Sequence, residues 1–288
     1  MKFLRNVLRN FFLKGALLLI FISVAAAGSD AQDGAPADPA QPVSQASAAL
    51  PEKILTNFVE VGGSYRDLTS GYGHWTGGYA RGVVAVGKNT VNAEADEQYE
   101  FGDKGTYIAA GDTYVVNSDW YGSLTLGTSS GGFFWPRFRA DGFLNKKWSE
   151  RKQFITTVGF GYYKSKDVHR DGNLFLGGTY YFSKPWLLEG GVRLNVSNPG
   201  TVFAPSAFVA ATQGRNKHHY ISLNLGAGQE GYQLIGPEVV LARFASQTAT
   251  LTWRQWLGRN WGVNFVADYY HNPFYQREGG VIGFFREF

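Results

Sequence analysis

Apolar and polar residues alternate with a period of two through much of the chain from Asn57 onward. Between Ile221 and Gly228, Ile221, Leu223, Leu225 and Ala227 share one face, and Ser222, Asn224, Gly226 and Gly228 share the other. Between Leu188 and Val196, Leu188, Val192, Leu194 and Val196 oppose Glu189, Arg193 and Asn195. Ala249, Leu251 and Trp253 oppose Thr248, Thr250, Thr252 and Arg254. Successive side chains of a strand point to opposite faces, so the pattern predicts β-strands. A soluble sandwich alternates in the same way. Bilayer-spanning length and aromatic residues at strand ends favour a transmembrane barrel instead. Trp148, Trp186 and Trp261 each follow a short turn with a basic residue and are expected to open a strand, as an interfacial girdle would.

Turn signals divide residues 51–288 into about fourteen strands, with twelve as the alternative because residues 71–130 alternate poorly. The expected spans are 56–68, 73–86, 90–101, 105–116, 119–128, 132–145, 153–164, 171–182, 186–197, 202–213, 218–229, 243–256, 260–270 and 276–288. The fold class is all-β, a closed antiparallel transmembrane barrel. With a periplasmic N-terminus, the periplasmic connections come out mostly short and the three tryptophans fall on that rim. The external connections include longer ones at 165–170, 230–242 and 271–275, the usual outer-membrane asymmetry. No window from Pro51 onward holds 18 consecutive apolar residues, so no transmembrane helix is expected.

The first residues change the reading of compartment and charge. Lys2, Arg5, Arg9 and Lys14 precede an apolar run from Ala16 to Ala27 that ends in small residues. This is the pattern of a signal peptide over residues 1–27, with cleavage as late as residue 31. Residues 1–31 hold four Lys/Arg and one Asp. Removing them from 27 basic and 23 acidic residues leaves 23 and 22, a net charge of +1. The basic balance therefore gives no argument for nucleic acid. Residues 32–50 are mostly Ala, Pro, Ser, Gln, Gly and Asp without an aromatic, and are expected to form a flexible periplasmic tail. The chain has no cysteine, which excludes disulfide scaffolds, thiolate metal sites and a lipoprotein anchor.

Phe288 ends an apolar strand, Val281-Ile282-Gly283-Phe284-Phe285-Arg286-Glu287-Phe288. It is similar to the terminal signal read by barrel-assembly machinery, although Arg286 breaks the apolar face shared by Ile282, Phe284 and Phe288. The strands around Val59–Arg66, Gly105–Gly111 and Gly159–Tyr162, and those led by Trp186 and Trp261, resemble the YaiO-type outer-membrane β-barrel family. The resemblance covers about Asn57 to Phe288. It implies a Gram-negative outer-membrane barrel similar to proteins encoded with surface-polysaccharide machinery, and brings no catalytic residues.

Candidate lumen-lining residues are Glu60, Arg66, Glu94, Asp96, Gln98, Arg137, Arg139, Asp141, Glu189, Arg193, Asn195 and Arg254. Such a set serves either as a charge-paired interior lattice or as the wall of a polar conduit, with Tyr163 or Tyr181 offering stacking surfaces. Glu97 falls on the lipid face and is expected near a rim. The five histidines, His74, His169, His218, His219 and His271, show no metal spacing and no nucleophile elbow. His218 and His219, adjacent in a strand, are expected to point apart. Three function classes follow: a passive component of envelope transport or surface-polysaccharide export, a docking barrel with a blocked lumen, and, least favoured, a lipid-modifying enzyme. The expected partners are outer-membrane lipid, the barrel-assembly machinery, and polysaccharide with its export proteins. No catalytic residue, metal, cofactor or nucleic acid is expected.

Overall fold

The computed structural model describes residues 57–183, 185–236 and 239–288. The leader at 1–27, the tail at 32–50 and the first barrel residues up to 56 lie outside the described residues. Fourteen strands follow in order: β1 (Phe58–Leu68), β2 (His74–Val86), β3 (Asn89–Glu100), β4 (Asp103–Val115), β5 (Trp120–Gly131), β6 (Phe138–Trp148), β7 (Phe154–Lys164), β8 (Arg170–Tyr181), β9 (Trp186–Asn198), β10 (Val202–Arg215), β11 (His219–Leu234), β12 (Val240–Trp256), β13 (Trp261–His271) and β14 (Gln276–Glu287). Each pairs antiparallel with its sequence neighbour, and β1 pairs with β14 from Phe58↔Glu287 to Leu68↔Arg277, closing the barrel. Closure leaves no unpaired edge, the condition for strands in hydrocarbon.

The burial pattern is inverted relative to a soluble core. In β7, Phe160 and Val158 are 58% and 51% exposed, whereas Glu60 in β1 is 1% exposed. Alternate residues of β3 (Val91, Ala93, Ala95, Glu97, Tyr99) are exposed while Asn92, Glu94, Asp96 and Gln98 turn in. The apolar faces read from the sequence therefore form an outward band, and the polar faces surround an interior.

We call the end bearing the start of β1 proximal and the other distal. Trp148, Trp186 and Trp261 all stand outward at the proximal rim and are exposed. Trp186 and Trp261 open β9 and β13, but Trp148 closes β6 rather than opening a strand. The expected sixth strand at 132–145 is shifted. Residues 132–137 form a loop, because Pro136 has no N–H for the ladder and Trp135 N–H turns back to the Gly132 carbonyl. The ladder begins at Phe138 and continues through Lys146 and Lys147, which pair with Thr156 and Ile155.

The expected long loop at 230–242 is also absent. β11 and β12 remain paired in one unbroken register up to Leu234↔Val240, although Arg243, opposite Gly231, takes a left-handed φ of 48°. Distal connections span two to six residues and are no longer than a few residues more than the proximal ones.

Candidate functional site

Inward residues of β1 to β4 and β12 to β14 build one wall around Glu60. Its carboxylate accepts from Tyr79 Oη at 2.7 Å, Arg81 Nη2 at 2.7 Å, Asn264 Nδ2 at 2.5 Å and Arg254 Nη1 at 3.3 Å. Donors from three other strands, β2, β12 and β13, thus converge on one buried anion, which the guanidinium groups offset. Arg254 also lies over the Phe285 ring at 3.4 Å. Nearer the distal rim, Arg66 Nε bonds Asp268 Oδ1 at 3.0 Å, and Arg277 Nε lies 3.8 Å from the same oxygen.

Both groups reach from β1 to β13 across β14. Glycine makes that reach short: Gly279 is the Cα partner of both Arg66 and Asp268, and Gly283 is the partner of both Gly62 and Asn264. A Cβ at Gly279 would lie 2.9 Å from Arg66 Cγ, and one at Gly283 would lie 3.1 Å from Glu60 Oε1. The same device lays aromatic rings along the wall. A Cβ at Gly62 would meet the Tyr79 ring at 2.5 Å, and Cβ atoms at Gly177 and Gly191 would meet Phe175 at 2.6 and 2.7 Å. Phe143, Phe175 and Phe208 form a run on β6, β8 and β10, with Phe175 and Phe208 stacked at 6.2 Å and 16°.

The remaining charges divide by wall. Arg139 bonds Asp141 at 2.6 Å on β6. Arg193 stands over Phe175 at 5.9 Å, and Glu189 accepts from Thr179 Oγ1 at 3.5 Å. Glu94 and Asp96 face inward on β3 and make no hydrogen bond or ion pair among the described residues; their neighbour Arg81 is turned to Glu60. Asn195 donates to Ser197 Oγ at 3.0 Å. Gln98 turns inward on β3. Arg137 is not on the wall: it is exposed in the β5–β6 loop, for the reason given above. Tyr163 and Tyr181 are taken up by packing. Tyr163 Oη donates to the Phe134 carbonyl at 3.3 Å, and Tyr181 joins Tyr121, Ile155 and Leu187 in an apolar layer at the proximal end. Glu97 is outward near the distal rim, paired with Lys104 at 2.9 Å.

The distal mouth is bridged. Tyr72, Phe101 and Tyr275, from three different turns, pack on Trp75 and Tyr270, with ring centroids 4.9 to 6.4 Å apart. Phe101 stacks on Phe133 of the β5–β6 loop at 6.4 Å. Phe133 in turn packs against Val202, Tyr232 and Leu234, from β10 and the β11–β12 hairpin on the opposite wall. Burial pushes the Tyr275 hydroxyl pKa up, and the group bonds Gln233. Sequence reasoning missed this knot, because its rings come from turns whose length carries no signal.

A family model described as "YaiO membrane beta barrel domain" matches residues 56–233, more than half of the chain. The chain belongs to that family. The YaiO barrel also superposes on solved outer-membrane barrels. A structure described as the "CymD monoaromatic hydrocarbon channel" aligns with a TM-score of 0.56 at 8% identity, covering 81% of this chain and 88% of that one. The Pseudomonas putida toluene transporter TodX aligns with a TM-score of 0.54 at 10% identity, covering 82% and 90%. These likenesses concern the fold. No curated protein matches the sequence.

The histidines of the YaiO barrel are dispersed. His169 Nδ1 meets Asp167 Oδ2 at 2.5 Å in the β7–β8 loop and packs on Tyr232. His74 is outward and stacks on Tyr65 at 5.8 Å, while His271 stands outward on β13. His218 and His219 do not point apart: His218 lies in the turn before β11, so strand alternation does not govern it, and the two Nδ1 atoms are 2.6 Å apart. No group of three or more potential metal-binding side chains occurs among the described residues.

Proposed function

We propose that this YaiO barrel is a passive outer-membrane conduit for polar saccharide chains, a component of envelope transport or surface-polysaccharide export. The proximal rim then faces the periplasm, and Phe288 serves as the assembly signal. The observation that carries the reading is the middle of the lumen. Unpaired Glu94 and Asp96 face inward on one wall, and Arg193 with the Phe143, Phe175 and Phe208 ring faces occupies another. Hydroxyl-rich polymers use both kinds of surface, hydrogen-bonding to fixed charges and stacking on ring faces. The glycine-backed rings lie along the wall rather than across the bore.

The bridged distal mouth favours a second reading, a docking barrel closed to flow. Planar-bilayer recording separates the two. The conduit predicts that Phe101→Ala with Phe133→Ala raises open-channel current severalfold over the parent, and that neutral oligosaccharides block it. A variant that inserts and folds yet passes no sustained current would leave the docking reading standing.

A further inference from the structure

We propose that the outward face of the distal rim between β6 and β9 binds the phosphorylated headgroup of a membrane lipid, with Lys164 and Arg170 as its ligands. Lys164 closes β7, Arg170 opens β8, and they are Cα partners. Their chain neighbours Tyr163 and Asp171 turn inward, Asp171 being 2% exposed, so both cations stand on the outer face, and both are exposed. Like charges directly opposite one another destabilise a sheet. No carboxylate among the described residues lies within ion-pairing distance of either. The acid of the intervening loop, Asp167, is engaged by His169.

The same face continues without an acid on both sides, through Phe138, partner of Lys164, and Asn198, partner of Arg170. Arg137, exposed in the adjoining loop, donates its backbone N–H to the Lys164 carbonyl at 2.8 Å. At two other places on this rim charge is balanced or acidic: Lys104 pairs with Glu97, and Asp67 is the partner of Glu278, while Arg243 of β12 stands exposed as a single cation. The arc is set apart by two cations placed directly opposite one another.

What lies beneath the arc selects a lipid over a free anion. Phe138, level with Lys164, sits 6.4 Å from Tyr162, which is one outward position deeper on β7. Below them Phe160, Val158, Leu174 and Leu176 are exposed outward toward the bilayer centre. An anion tethered to acyl chains satisfies the cations and the apolar columns together. A guanidinium takes two phosphate oxygens in its planar fork, and the ammonium adds a point charge.

The test uses the full folded barrel in detergent, titrated with diphosphoryl lipid A and followed by native mass spectrometry. Parallel arms use the dephosphorylated lipid and inorganic phosphate. The parent is expected to bind the diphosphoryl lipid at least about tenfold more tightly than the dephosphorylated one. Lys164→Gln with Arg170→Gln is expected to lose that preference, whereas Lys104→Gln with Glu97→Gln keeps it. Equal binding of the two lipids by the parent overturns the proposal without recourse to any variant. So does retention of the preference in the Lys164/Arg170 variant, or competition by inorganic phosphate at concentrations matching the lipid, which would indicate a bare anion site.

Discussion

Glu60 shows what a single side chain does inside this barrel. It is fully buried, and its one carboxylate is shared by two arginines, neither of which pairs with another carboxylate among the described residues. Glu60→Gln keeps the shape and removes the charge. Leaving a buried charge uncompensated costs roughly 3–5 kcal/mol, less for Arg81, whose side chain is 38% exposed, so the variant is expected to unfold at lower urea concentration in bilayers. An unchanged midpoint would show that water in the lumen screens the cluster. Asp167 gives a pH prediction outside the membrane. Burial opposes its ionisation, but the hydrogen bonds from His169 outweigh that and hold its pKa below the ordinary 3.8. A carboxylate depressed by folding adds stability that is complete above its unfolded value and lost as pH falls through its folded one. The β7–β8 loop is expected to stay protected from hydrogen exchange down to about pH 4 and to loosen below it. Asp167→Asn should remove that acid-side dependence. Glu60 and Arg254 were legible as inward residues from alternation alone. Their pairing was not, since it joins residues 194 apart in sequence.

At the scale of elements, alternation carries the strands well. The two departures have local causes. Around Trp148 the preceding lysines were read as a turn, yet Lys146 lies over the Trp148 ring at 3.8 Å on the outer face, so a basic residue at the rim served the strand rather than ending it. Residues 230–242 were read as a loop, but β11 and β12 keep one register through Glu230↔Phe244, Tyr232↔Ala242 and Leu234↔Val240, and the left-handed Arg243 is accommodated within the ladder. The lipid-facing assignment of a strand is testable at its midpoint. Val192→Arg on β9 is expected to cost about 2–4 kcal/mol, whereas Asn195→Arg on the luminal face should cost far less. The folded fraction on unboiled detergent gels reads the difference. Equal losses at both positions would contradict the outward orientation of Val192.

For the whole molecule, closure was legible and the state of the bore was not. Period-two patterning says which residues face in, but ring packing between distant turns decides whether the mouth is bridged. The fourteen-strand barrel predicts heat-modifiable migration: the unboiled protein should run faster than the boiled one, and identical mobilities would argue against closure. The glycines of β14 have a consequence for how such a cylinder comes to be sealed. Gly279→Val or Gly283→Val would wedge apart groups of β1 and β13 that meet over the last strand. Those meetings exist only once the chain's final segment has docked against its first. A half-zipped intermediate would leave Glu60 and Arg66 deprived of their β13 partners. The ring thus fastens from within, like a clasp that engages only after its ends touch. Either valine is expected to populate open, protease-sensitive species during assembly while leaving the lipid-facing surface untouched.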